Sequence, residues 1–273
     1  MNRATHPVWA VLITVAATFA QVIVGTAPAT LLLASDHPLY RPLGMIGITL
    51  AALGLVYLIR RFLGGQSWAG VGMERSRRAV PQLLLGVVAG AVPTMAAILL
   101  SLAFGVTSLA PKEMIFANLG LVPYGIAFAL LSQAFPEELL WRGHLFDTLS
   151  ARLSPRAVLI VVSVGFGALH ILSNSPADSP AERLLYILQA VALGFACAAA
   201  RARTGTVWMA VGVHTGLHTG NLLLPTEAVH YVVQLVILAC ALTVSGLLLL
   251  RRGKGAREQE ACRPGPSTYE PGR

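Results

Sequence analysis

An all-α, polytopic membrane protein with about eight transmembrane helices is the fold class that this sequence predicts, and three observations predict it. Only 12% of its 273 residues are charged and 55% are hydrophobic, whereas soluble proteins carry roughly 25% charged residues. A chain this apolar has too little polar surface to cover a water-facing globule. Second, eight stretches free of Asp, Glu, Lys and Arg are each long enough to form the roughly 17–25-residue helix that crosses a bilayer. Third, the basic residues sit in short clusters between those stretches, as they do in the loops of membrane proteins.

The eight runs are Val8–Ser35, Pro42–Ile59, Ala79–Pro111, Met114–Pro136, Ala157–Ala177, Leu184–Ala200, Thr204–Thr226 and Ala228–Leu250. Backbone polar groups in lipid must be satisfied within the segment, so the runs are expected to be helices. Barrel strands would alternate over about ten residues, and no such alternation occurs. The first run is far longer than the 7–15-residue core of a signal peptide, so it reads as a retained anchor. Between the second and third runs lies a Gly-rich loop ending in a basic cluster, which reads as a positive-inside anchor. Residues 1–250 are expected to form one helical domain. The tail 251–273 is basic, then rich in Gly and Pro, and reads as a disordered cytoplasmic extension.

The formal net charge is +8, but its scattered placement argues against a nucleic-acid module, which gathers basic groups on one folded face. With the N-terminus inside, eight spans leave 16 Lys and Arg on the inner segments and 3 on the outer loops. That bias predicts a multi-pass protein of the cell membrane with both termini cytoplasmic. Three cysteines, Cys197, Cys240 and Cys262, are too few and too scattered for a disulfide framework or a cysteine zinc site.

Ionisable residues are costly inside a bilayer, so their clusters are informative. Span four ends in Pro136-Glu137-Glu138-Leu139-Leu140-Trp141-Arg142. On a helix, Glu138 and Arg142 are four apart and share a face, where they can pair. Glu137 is rotated about 100° away and lacks that partner, which leaves it free for general-base chemistry. Two acids at a helix end also suit the headgroup region. Span five carries Phe166-Gly167-Ala168-Leu169-His170; a lone histidine there also fits ordinary packing. Span seven carries His214, His218 and Asn221 at i, i+4 and i+7, one polar stripe. Gly212, Gly216 and Gly220 repeat on roughly the opposite face, where a neighbouring helix can pack closely. Acids on one helix and histidines on two others suit hydrolysis, with a base to activate water and donors for an oxyanion. A proton path would use similar groups, so a proton-coupled transporter stays open, as does a non-catalytic immunity or binding protein.

Glu137-Glu138-x-x-x-Arg142, then Phe166-x-x-x-His170, then His214 on a later span resembles the CPBP family, the type II CAAX prenyl endopeptidases and bacteriocin-processing Abi proteins. The likeness runs over about 119–224. No H-E-x-x-H, G-x-S-G or G-x-G-D signature occurs in the chain. The resemblance implies an intramembrane endopeptidase acting on a peptide or lipidated protein, in contact with membrane lipid and not with nucleic acid. In its terms Glu137 activates water with help from His170, His214 stabilises the oxyanion, and Glu138 with Arg142 holds the site in shape. The family's third motif is usually His-x-x-x-Asn; here His218 stands at the Asn position, and either His218 or Asn221 would supply the missing donor. Catalytic zinc is left open, with His170, His214 and Glu137 as candidate ligands drawn from three helices. One tension follows from the run boundaries. They set Glu137 at the cytoplasmic end of span four and His170 about 22 Å along span five. The two meet only if span four tilts, breaks at Pro136 or continues past Glu138.

Overall fold

The computed structural model describes residues 5–74 and 76–251. In chain order the long elements are α1 (Pro7–Leu32), α2 (Tyr40–Leu58) with a wide turn at Ile59–Gly64, and α3 (Ala79–Ala103). A short α4 (Lys112–Leu119) precedes α5, a continuous helical backbone over 122–150. Then come α6 (Pro155–Ala168) with a tight turn at Leu169–Leu172, α7 (Pro180–Thr204), α8 (Trp208–Leu223) and α9 (Tyr231–Leu250). Strands β1 (Thr107–Leu109) and β2 (Thr226–Ala228) pair antiparallel, with Ser108 opposite Glu227. They tie the ends of α3 and α8 together.

Local chemistry sets several boundaries. α1, α6 and α7 each begin with proline in the first turn, where a missing N–H costs nothing. Ser154 and Ser179 cap α6 and α7 by accepting the N–H of Ala157 and Glu182. Gly205, at φ 73°, ends α7 in the left-handed conformation that glycine adopts without a Cβ clash.

Among the described residues six helices are long and apolar enough to cross a membrane: α1, α2 with its wide turn, α3, α6 with its tight turn, α7 and α9. The protein is an all-α, polytopic membrane protein. The expected count of eight is not reached by length and composition, because α5 and α8 fall short for different reasons. α5 has the length but carries Glu137, Glu138, Arg142 and Asp147. α8 has 16 residues, about 24 Å, less than the roughly 30 Å of a hydrocarbon core. Both are sheathed by neighbours: residues 139–145 of α5 and 209–217 of α8 are buried throughout. The run expected at Met114–Pro136 is corrected to α4 followed by α5. From residue 252 onward the tail expected to be disordered lies outside the described residues.

The α3–α8 contact is the most extensive in the bundle. A Cβ on Gly86 would land on the carbonyl oxygen of Met209, and one on Gly212 on that of Leu83. Gly90 and Gly216 meet Val213 and Val87 in the same way. Backbone rides on backbone along this seam, so the glycine face expected of α8 is the face it presents to α3.

Opposite the strand pair, the other end of the bundle is held by arginines. Buried Arg60 donates to Asp147 at 2.7 Å and to the Ser67 carbonyl. Arg201 donates to the carbonyls of Arg142 and Gly70, each at 2.9 Å. Arg60, Arg61, Arg77, Arg78, Arg152, Arg156, Arg201 and Arg203 all belong to this basic end.

Candidate active site

α5 is not a uniform helix. Its backbone widens into π turns at Leu130–Ala134 and Leu139–Leu145, on either side of the short α stretch Phe135–Glu138. Pro136 has no N–H to give and its ring crowds the preceding turn, so the wide turn upstream relieves a clash that would otherwise kink the helix. The chain therefore runs on past Glu138 to Ser150.

That continuation resolves the depth of the two candidate residues. Glu137 lies thirteen residues before Ser150, about 20 Å along α5, and His170 lies fifteen residues after Pro155, about 22 Å along the returning helix. Measured from the turn between them, they sit at one level. Both line a single cavity of about 200 Å³. Trp141 and Phe166 wall it beside them, Leu169, Leu172 and Ser173 close it from the end of α6, and Thr18, Phe19 and Val22 of α1 close the far side.

Glu138 faces the other way. It is fully buried, and its Oε1 accepts from Arg142 Nη1 and from His214 Nδ1, each at 3.0 Å. Arg142 is also fully buried; its Nη2 donates to the Gly194 carbonyl at 2.6 Å, and its guanidinium lies 4.6 Å over the Phe166 ring. Gly194 leaves room for this, since a Cβ there would sit 3.1 Å from Arg142 Nη2. The expected i,i+4 pair thus forms and is locked to α7 and α8 as well.

Phe166 is the hub between the two histidines. Its ring centroid is 5.0 Å from that of His170 and 5.8 Å from that of His214, and Trp141 stands edge-on to it at 5.9 Å. His170 Nδ1 is 3.1 Å from the Phe166 carbonyl oxygen. A carbonyl only accepts, so Nδ1 carries the proton and a neutral His170 keeps an acceptor at Nε2. His214 is buried, and His218 stacks on it with centroids 5.3 Å apart and planes 21° from parallel.

The polar stripe of α8 is divided. His214 joins Glu138, whereas His218 and Asn221 line a second cavity that includes neither Glu137 nor His170. Among the described residues no three His, Cys, Asp or Glu side chains converge on a point where one ion could sit. His170 Nδ1 is taken up by the Phe166 carbonyl and His214 Nδ1 by Glu138, so on each ring Nε2 is the nitrogen left for a further partner. Sequence reasoning missed the contribution of α1 to the cavity, and it carried no signal for it: Thr18, Phe19 and Val22 are ordinary residues of an apolar run. It also missed Trp141, whose position four residues after Glu137 puts it on the same helix face.

With this geometry in view, residues 119–220 match the family model described as type II CAAX prenyl endopeptidase Rce1-like. A comparison with curated proteins finds no match for the chain.

Proposed function

We propose, from the membership of the CPBP family that the match over 119–220 supports, that this protein is an intramembrane endopeptidase in which Glu137 activates water against a peptide bond. The family supports a CAAX-type endopeptidase in general and implies a peptide or prenylated protein as substrate. One observation carries the assignment of roles. Of two adjacent acids, Glu138 is consumed by Arg142 and His214, while Glu137 lines a cavity that it shares with His170.

Glu137 takes a proton from a water in that cavity, and the oxygen of that water attacks the scissile carbonyl carbon. His170, neutral and with Nε2 as acceptor, holds the second water hydrogen and fixes the direction of attack. The tetrahedral oxyanion needs a donor. His214 supplies one at Nε2 when its ring carries both protons, and the buried group then balances: Arg142 and His214 positive, Glu137 and Glu138 negative. A balanced set is the one that burial tolerates best. Glu137 then returns its proton to the leaving nitrogen, the carbon–nitrogen bond breaks, and the site is reset. His218, at the position where the family usually has Asn, packs its ring on His214 and holds it in plane.

The charge distribution supports the cytoplasmic placement of the arginine-bound end of the bundle, with the strand pair on the opposite side. The deciding experiment is cleavage of a reporter substrate, found by comparing membrane peptides of cells with and without the protein. Glu137→Gln in folded protein is expected to abolish that cleavage, and an unchanged rate would end the assignment.

A further inference from the structure

The wide turn at Leu130–Ala134 deprives one backbone carbonyl of α5 of its ordinary donors. In a regular α-helix the Leu131 carbonyl takes the N–H of Phe135, but that N–H goes to Leu130, five residues back. In the same wide register the next donor for Leu131 is residue 136, which is proline and has none. The carbonyl is satisfied from outside the helix. The hydroxyl of Thr49, on α2, donates to it.

That contact is not the habit of threonine in this bundle. Thr14, Thr18, Thr26, Thr94, Thr215 and Thr219 each donate to the carbonyl four residues back on their own helix, the usual local bond of a helical hydroxyl. Thr49 crosses instead to a neighbouring helix, at the carbonyl that Pro136 cannot serve. In an apolar medium a free carbonyl is costly, and hydroxyl side chains are among the groups that make proline tolerable there.

The turn that Thr49 holds sets the direction of Glu137, three residues past its end. A wide turn takes in one extra residue, which rotates everything after it by about 100° against the helix before it. Were α5 regular through Leu130–Ala134, Glu137 would take the direction in which Glu138 now points, toward Arg142 and His214, and leave the cavity that it shares with His170. We propose that Thr49 is a positioning residue: its hydroxyl keeps the wide turn in register and thereby aims the Glu137 carboxyl into the cavity. The proposal rests on the endopeptidase reading for its effect on turnover, though not for its effect on where Glu137 points. Thr49 lines neither of the two cavities and acts through the backbone of α5.

The test uses the full-length protein in detergent with two readouts: cleavage kinetics on the reporter substrate, and labelling of Glu137 by dicyclohexylcarbodiimide, located by mass spectrometry. The second follows the carboxyl without needing turnover. Thr49→Val keeps the shape and removes the donor. It is expected to slow labelling of Glu137 and to lower kcat by about tenfold at unchanged KM, since misplacing a reacting group costs rate. Thr49→Ser keeps the donor and is expected to retain both kcat and labelling. Thr243→Val, which removes a hydroxyl bonded within α9, is the control and is expected to change neither. Should Thr49→Val not fold, Thr49→Cys, a weaker donor of similar size, takes its place and is expected to fall below Thr49→Ser in both readouts. A kcat for Thr49→Val equal to that of the control overturns the proposal. So does an equal loss in Thr49→Ser, which would assign the effect to packing, or a rise in KM alone, which would make Thr49 a substrate contact. Thr49-dependent labelling in a protein that cleaves nothing supports the positioning role and removes the endopeptidase. Cleavage that needs Glu137, with labelling and kcat indifferent to Thr49, does the reverse.

Discussion

Glu138 and His214, 76 residues apart in sequence, meet through a 3.0 Å hydrogen bond between Oε1 and Nδ1. The oxygen that joins them also accepts from Arg142. One buried atom therefore ties α5 to itself and to α8, and through the Gly194 carbonyl the same arginine reaches α7. This knot gives the neighbouring acid its freedom, because it takes up the local arginine and leaves Glu137 to the cavity.

Glu138→Gln should cost stability first. The amide keeps the shape but removes the charge facing Arg142, and breaking a buried pair from one side typically costs about 3–5 kcal/mol. Denaturant titration of the protein in mixed micelles reads this as a lower unfolding midpoint. A midpoint unchanged from the parent protein would mean that the pair does not hold the helices.

Glu137→Gln should have the opposite profile. Glu137 lines a cavity and makes no ion pair with another described residue, so its replacement leaves the unfolding midpoint near that of the parent. Loss of a general base lowers rates by about 10²–10⁴-fold. The two substitutions, on adjacent residues, thus separate stability from turnover when both are measured side by side.

How much of this was legible before the structure depends on distance along the chain. The Glu138–Arg142 pair is local and follows from helical period alone, as does the glycine face of α8. The sharing of Glu138 with His214 is invisible to period, since nothing in one helix specifies which carboxylate oxygen a histidine on another will meet. Counting charge-free runs ended span four at Pro136, because the count treats Glu137, Glu138 and Arg142 as headgroup residues. In the fold their charges are paired or turned to a cavity, so the helix keeps going to Ser150 and the depth conflict with His170 disappears. The α1 wall and the Arg60–Asp147 clamp, 87 residues apart, left no mark on the sequence pattern.

His170 offers a test of which ring nitrogen acts. Nδ1 is held by the Phe166 carbonyl, so Nε2 is the nitrogen left for water. The end of a Gln side chain reaches the Nε2 position, whereas that of Asn reaches only Nδ1. His170→Gln should therefore retain more activity than His170→Asn, as measured by initial rates on the same substrate. The reverse order would put the working atom at Nδ1 and the water elsewhere.

The glycine seam carries the last prediction. Gly212 sits two residues before His214, and a Cβ on it would land on the Leu83 carbonyl of α3, which belongs to backbone and cannot swing aside. Gly212→Val must push α8 off α3, and overpacking of this kind costs about 1–3 kcal/mol. The same shift carries His214 away from Glu138, so turnover should fall together with stability. Gly54 on α2 is the control, since an added Cβ there meets nothing within 4 Å. Gly54→Val should leave both the unfolding midpoint and the cleavage rate unchanged. If the two valine variants behave alike, the close approach of α3 and α8 is not what sets the histidine in place.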